Sequence, residues 1–334
     1  AYGHGLVAFA KHAENEVDAF GVDSITEGLK LREKGLKKPI LVLGHTLPSR
    51  LKEAAKSDII LTVSTLELLR GIAGTKLKPK IHLKIDTGMG RQGFFLSDLP
   101  GAIKILKADP AIQLEGIYTH LAAAKDRLYP HQSFKQLQEF KKADALLKRN
   151  GFKNYLRHAA ASAGTILYPE ARFDMVRIGI GLYGMFSTRE VEAQSDIKLK
   201  PALSWKSVIG EIKNFPAGAY IGYDLTEKTL KPSRLAIVPI GYWHGFDRGL
   251  SSTGEVLVRG QRCKVIGRVS MDMTVIDITE IKNQKSKIKI GDEVVIIGKS
   301  GKEKISAEDA AQKIGTINYE FVTRINPLIH RFYK

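Results

Sequence analysis

Between residue 17 and about 185, short apolar runs alternate with longer amphipathic ones. The apolar runs predict strands over Asp18–Asp23, Ile40–Leu43, Ile59–Val63, Ile81–Ile85, Leu114–Thr119, Asn154–His158 and Asp174–Arg177. Helical segments are predicted between them. The clearest is 131–149, where Phe134, Leu137, Phe140, Ala143, Leu146 and Leu147 recur at helical spacing and Gly151 stops the run. Such a βα rhythm implies a parallel sheet.

Polar residues stand just after many of these strands, as in an eight-stranded (β/α)8 TIM barrel whose strand ends face one mouth. One strand is then missing. Ala1-Tyr2-Gly3-His4-Gly5 reads as the loop after a strand, so the first strand is expected upstream of this chain and the barrel over residues 1–195. Beyond about 190 the runs are short, β-branched and separated by turns: Ala202–Ile212, Arg234–Ile240, Gly254–Val258, Lys264–Ile266, Thr274–Ile278 and Glu293–Ile297. Residues 196–334 are therefore expected to form a mainly antiparallel β domain, with a helix over Ser306–Ile314 capped by Ser306.

The 334 residues are 43% hydrophobic, enough for one large core or two. A net charge of +17 invites a nucleic-acid reading. The lysines are spread through 30–38, 135–142 and 281–290, with no arginine–aromatic cluster beside them, so a dispersed surface is expected and no nucleic-acid partner. Such a surface mildly attracts small anions. The single cysteine, Cys263, excludes an internal disulfide framework and fits a reducing, cytoplasmic compartment. No apolar run reaches the roughly 18 residues of a transmembrane helix, so no membrane partner is expected. The first residues lack the pattern of a signal peptide.

Two glycine-bearing stretches carry the candidate chemistry. Lys84-Ile85-Asp86-Thr87-Gly88-Met89-Gly90-Arg91 sets charge at a strand end, and Arg177-Ile178-Gly179-Ile180-Gly181-Leu182-Tyr183-Gly184 repeats the design. Glycine lets backbone N–H groups approach a ligand closely, so the pair suggests an anion. Ser162 and the Gly179–Ile180 backbone follow the last two predicted barrel strands, where barrels often hold a phosphate. No Gly-x-x-x-x-Gly-Lys-Ser/Thr element and no well-placed Gly-x-Gly-x-x-Gly occurs, which argues against a nucleoside triphosphate or a dinucleotide. The nine histidines show no metal-ligand spacing, so no metal is expected. A phosphorylated organic cofactor fits what remains.

Six collinear segments now resemble one family. They are Ala1-Tyr2-Gly3-His4-Gly5, Lys84–Arg91, Tyr118-Thr119-His120, Arg177–Gly184, Ile240-Gly241-Tyr242 and Gly267-Arg268-Val269-Ser270-Met271-Asp272. Together they resemble the pyridoxal-phosphate-dependent alanine racemases. The resemblance implies interconversion of L- and D-alanine, with D-alanine supplied for peptidoglycan. The α-proton leaves one face of the substrate and returns to the other, which calls for two bases, and the ring accepts the electrons. In the family one base is the lysine that holds the cofactor, three residues before the alanine matching Ala1. On that reading the N-terminal part, with this lysine, is missing from the chain.

The resemblance also implies residue roles. Tyr223 matches a catalytic base supplied by the partner subunit, so a head-to-tail homodimer with shared active sites is expected. Tyr242 matches a second tyrosine of the shared site, and the Met271 backbone N–H is expected to approach the substrate carboxylate. Arg177 matches the arginine facing the pyridine nitrogen, and His120 is expected to support the ring by way of Arg177. Arg91 is expected near the cofactor's phenolic oxygen and the substrate carboxylate, where its planar donor fork suits anions. Lys84 matches a lysine often carbamylated in the family. Tyr2 and Ser162, with the Gly179 and Ile180 backbone, would hold the phosphate.

The chain departs from the family pattern in three places. Ala161 stands where asparagine is frequent, and Gly241-Tyr242-Trp243-His244-Gly245 where Gly-Tyr-Ala-Asp-Gly is frequent. The position of a later phosphate-binding tyrosine falls on Pro327, which offers neither hydroxyl nor N–H. The alternatives are a related pyridoxal-phosphate barrel acting on another amino acid, as a serine or broad-specificity racemase or a decarboxylase, and a cofactor-free basic binding protein on the same scaffold.

Overall fold

The structure, a computed structural model, describes residues 1–281 and 287–333. Part of the lysine-bearing stretch at 281–290 therefore lies outside the described residues. The chain divides into two compact units, Leu6–Leu199 and, separately, Lys200–Lys334 joined by Ala1–Gly5.

In the Leu6–Leu199 unit, strands β1 (Phe20–Val22), β2 (Ile40–Val42), β3 (Ile59–Val63), β4 (Ile81–Lys84), β5 (Leu114–Tyr118) and β6 (Leu156–His158) pair side by side, all parallel and in chain order. Every residue of β2, β3 and β4 is buried; β2 is apolar throughout and β3 nearly so, while β4 alternates, setting the buried polar side chains of His82 and Lys84 on one face. Helices connect them: α1 (Leu6–Ala13), α2 (Ile25–Glu33), α3 (Leu51–Lys56), α4 (Leu66–Ala73), α5 (Leu99–Ala108), α6 (His131–Arg149), then α7 (Ser162–Leu167) and α8 (Arg189–Ala193). Ser24 and Thr65 cap α2 and α4 by accepting the backbone N–H three residues on. Helix α6 spans the predicted residues and turns Leu137, Phe140, Ala143 and Leu147 inward. Gly151, at φ +95°, carries the chain out of it.

An eight-stranded barrel with its first strand upstream is not what forms. Among the described residues the parallel sheet holds six strands. The strand expected at Asp174–Arg177 makes a single bridge, Arg177 to Ala161, with backbone bonds from Asp174 N to Arg157 O and Arg177 N to Ala160 O. Its side chains explain the failure. The Asp174 carboxylate folds back on the backbone N–H and guanidinium of Arg157, and the next residues turn into a 3-10 segment at Ile180–Tyr183.

The other unit is largely antiparallel. Its strands are β7 (Trp205–Val208), β8 (Glu211–Phe215), β9 (Tyr220–Ile221), β10 (Glu227–Lys228), β11 (Ser233–Val238), β12 (Glu255–Val258), β13 (Gln261–Lys264), β14 (Thr274–Asp277), β15 (Glu293–Ser300) and β16 (Glu303–Ile305). One sheet runs β14-β11-β8, another β13-β12-β15-β16 with β7 also paired to β15. Helix α9 (Ala307–Lys313) opens with a capping box between Ser306 and Asp309, and α10 (Asn318–Thr323) follows. Among the described residues no helix is long and apolar enough to cross a membrane.

Candidate active site

In a parallel sheet all C-terminal strand ends lie along one edge, and here that edge carries charge and rings. Lys84, Tyr118 and His158 end β4, β5 and β6 and are lateral neighbours in register. The Tyr118 and His158 rings stack at 4.7 Å, 8° from parallel. Arg177 Cζ lies 5.0 Å from the Tyr118 centroid and Lys84 Nζ 5.5 Å from it, so two cations share one aromatic ring. The phenol is buried and bonded to Thr62 Oγ1 at 2.8 Å.

Arg177 is the centre of this group. It donates from Nη1 to His158 Nδ1 (2.6 Å) and from Nη2 to the carbonyls of Thr119 (2.8 Å) and Ala159 (3.0 Å) and to His120 Nδ1 (3.3 Å). A guanidinium only donates, so both imidazoles must present Nδ1 as an acceptor and carry their proton on Nε2. His158 Nε2 in turn meets His82 Nδ1 at 2.9 Å, so the direction of donation passes on to His82. Burial and then the Arg177 charge hold His82 and His120 down at about 4, and the same causes drive His158 lower still. Burial also lowers Arg177 to about 10, which leaves it a cation at neutral pH. Its named partners are all neutral.

Lys84 is buried and donates to Gln92 Oε1 at 3.0 Å. Burial, then repulsion from Arg91 and Arg177, brings its amine down to about 8 against the opposing pull of Asp86. Asp86 itself accepts four backbone N–H groups, those of Gly88, Met89 and Gly90 at Oδ1 and of Arg91 at Oδ2, over 2.9–3.1 Å. Burial alone would raise its carboxyl, yet these donors keep it below the ordinary range. The loop's N–H groups thus serve the chain's own carboxylate and not a bound anion, which corrects that part of the glycine reading. Gly93 is required for packing: a Cβ there would sit 2.4 Å from Asp86 N.

At the second glycine stretch, Ser162 Oγ accepts the N–H groups of Gly179 (3.0 Å) and Gly181 (3.2 Å). With both acceptor positions used, the hydroxyl proton is left to donate outward. A Cβ on Gly181 would come into contact with Ser162 Oγ and Ile178 Cγ2 at 3.4 Å, so glycine leaves the hydroxyl uncovered on that side. A hydroxyl donor beside a bare backbone suits a phosphate oxygen, and a half-buried cation with neutral partners suits an uncharged ring nitrogen.

The remaining candidates belong to the other unit. Tyr2, at φ +45°, sets its ring edge-on to Tyr319 at 5.5 Å. The carbonyl of Gly3 accepts Arg331 Nε and Nη2, and that of His4 accepts the Tyr333 hydroxyl. Pro327 stands exposed in the loop after α10. Tyr223, Tyr242 and Met271 are exposed at 68%, 43% and 58%. The last two ride on one stitched pair of loops, because Tyr242 N donates to Ser270 O and Trp243 N to Met271 O. Gly241 permits this approach: a Cβ would fall 2.2 Å from Ser270 O.

The structure thus brings Lys84, His120 and Arg177 into one cluster, Ser162, Gly179 and Ile180 into one adjoining loop, and Tyr242 and Met271 onto another. His82, His158, Tyr118 and Gly116 were missed as parts of the first group. A signal was present: His82 and Lys84 are two apart on one strand and so share a face.

Known proteins resemble the chain along its length. The model of the N-terminal domain of alanine racemase matches residues 1–186 and that of the C-terminal domain residues 202–333. An alanine racemase of Leptospira interrogans is 42% identical over 99% of this chain and 86% of its own length. One of Halothermothrix orenii is 40% identical over 100% and 88%. Among solved structures, the alanine racemase of Bacillus anthracis with bound L-Ala-P superposes with a TM-score of 0.89 at 36% identity, covering 97% of this chain and 83% of that one. The first domain match overturns the expectation that the N-terminal part is missing: the model of that domain matches within this chain, over residues 1–186.

Proposed function

The chain belongs to the alanine racemase family, and from that premise we propose how its own residues serve the reaction. The activity is the pyridoxal-phosphate-dependent interconversion of L- and D-alanine, an isomerase reaction that supplies D-alanine for peptidoglycan. When bound, pyridoxal phosphate supplies a conjugated ring that takes up the electron pair left as the substrate's α-proton departs.

Arg177 would face the ring nitrogen, and a permanent cation there donates a hydrogen bond while discouraging protonation of that nitrogen. His120 and His158 hold the guanidinium in place from two sides. Ser162, the Gly179 and Ile180 backbone, and Tyr2 would grip the phosphate. Arg91 and the Met271 N–H would orient the substrate carboxylate, with Tyr242 beside it. Tyr223 is the base on one face of Cα, moving the proton at its phenolic oxygen. Its exposure suits a residue that works in the site of a second subunit, and hence a homodimer with shared sites. A carbamylated Lys84 would convert a repelling neighbour of Arg91 into an anionic one. The buried free Cys263 suits a cytoplasmic setting.

The observation that carries the reading is the half-buried Arg177 cation with neutral partners, beside a serine poised to donate. The test is chiral chromatography of L-alanine, L-serine and L-lysine after incubation with the full-length, cofactor-loaded protein. Alanine is expected to run to equal L and D. Inversion of serine or lysine in its place would move the assignment to another amino acid.

A further inference from the structure

We propose that Glu227, assisted by Asp224, is a positioning residue that clasps the hairpin bearing Tyr223 onto the segment leading to Met271. The inference rests on the assignment of Tyr223 as a base. Strands β9 and β10 pair through Ile221–Glu227 and Tyr220–Lys228. The turn between them holds Gly222, Asp224 and Leu225 at φ +77°, +61° and +52°. Only glycine adopts such angles freely, so this turn does not rest on local preference and needs an outside hold.

Two carboxylates provide that hold. One Glu227 oxygen accepts the Gly267 N–H at 2.8 Å and the Ser252 hydroxyl, and the other accepts Lys264 Nζ at 3.0 Å. Asp224 Oδ2 lies 2.6 Å from Arg268 Nε. The Asp224 pair is open to solvent and weak alone. Glu227, with its side chain only 19% exposed and three donors from two segments, is the anchor. The two backbones also touch, since a Cβ on Gly267 would fall 2.7 Å from Ile221 O. From Gly267 the chain runs through Ser270 and Met271, whose carbonyls take the N–H groups of Tyr242 and Trp243. Tyr223, Tyr242 and Met271 are thereby set as one template rather than three loose loops.

Glu227→Gln and Asp224→Asn test this in the full-length holoenzyme; asparagine tolerates the positive φ and removes only the charge. In Glu227→Gln kcat is expected to fall roughly 5–20-fold through lost orientation, and in the Asp224 variant by about twofold. KM should stay within about twofold and the melting temperature within a few degrees. Amide hydrogen exchange at 222–226 should quicken about tenfold. Unchanged exchange in both variants, or quickened exchange with unchanged kcat, overturns the proposal. Wild-type turnover in Tyr223→Phe would instead defeat the base assignment, and the exchange rates would still decide whether the clasp exists.

Discussion

Arg177 Nη1 sits 2.6 Å from His158 Nδ1, a contact in which the donor can never act as acceptor. The imidazole must therefore be neutral on that side and protonated on Nε2, toward His82. One cation so orders two histidines, and the room for the second comes from Gly116, its register partner on β5.

A Cβ at position 116 would meet the His82 ring at 2.5 Å. Gly116→Ala should displace that imidazole, lower stability by about 1–3 kcal/mol and slow racemisation. Guanidinium chloride denaturation measures the first, and an unmoved midpoint would mean that the ring has space to yield.

His82 and His120 sit near 4 when folded, against about 6.5 unfolded. Between those values the unfolded chain binds protons that the native protein refuses, so stability falls as pH is lowered from about 6.5 to 4. Each imidazole should contribute on the order of 1–3 kcal/mol. Thermal melts at pH 7, 6 and 5 follow the loss; for His82→Gln the slope should be shallower, and superimposable slopes would remove His82 from the account.

Ser162→Ala deprives two glycine N–H groups of their acceptor and takes away the outward hydroxyl donor. Affinity for pyridoxal phosphate should drop about tenfold, or ~1.4 kcal/mol. Absorbance titration of the cofactor reads this directly, and equal affinity would take Ser162 out of the phosphate grip.

Tyr223→Phe should reduce turnover by roughly 10²–10⁴-fold with cofactor affinity retained. Parallel cofactor titration and racemisation assays separate the two effects; loss of cofactor in this variant would reassign the residue.

With its amine near 8, Lys84 has a neutral fraction that can react with carbon dioxide. Protein equilibrated with ¹³C-bicarbonate is expected to show a carbamate carbon by NMR that is absent from Lys84→Gln. The same spectrum from both proteins would place the modification elsewhere or nowhere.

Much of the sheet was legible because burial on both faces leaves long apolar runs: β3 occupies the predicted Ile59–Val63 to the residue. The antiparallel pattern beyond 200 could be read from turn spacing in the same way. The barrel was misread at Asp174–Arg177, where local β character says nothing of the Asp174 carboxylate that folds back on the strand beside it. The His82–His158 contact was hidden because it joins residues 76 apart and depends on the register of three strands. Ala1–Gly5 looked like part of the barrel, yet its carbonyls answer to Arg331 and Tyr333 at the far end of the chain. Arg177 stood out because a glycine-bearing family motif holds it, and Ser162 because it follows a predicted strand, whereas their neutral, buried neighbours carry no such mark.

The ring of amides around Asp86 has one more consequence. A corner that brings its own counter-anion is already shaped before any guest arrives, so the carboxylate contact proposed for Arg91 would start from a finished platform and cost little reordering.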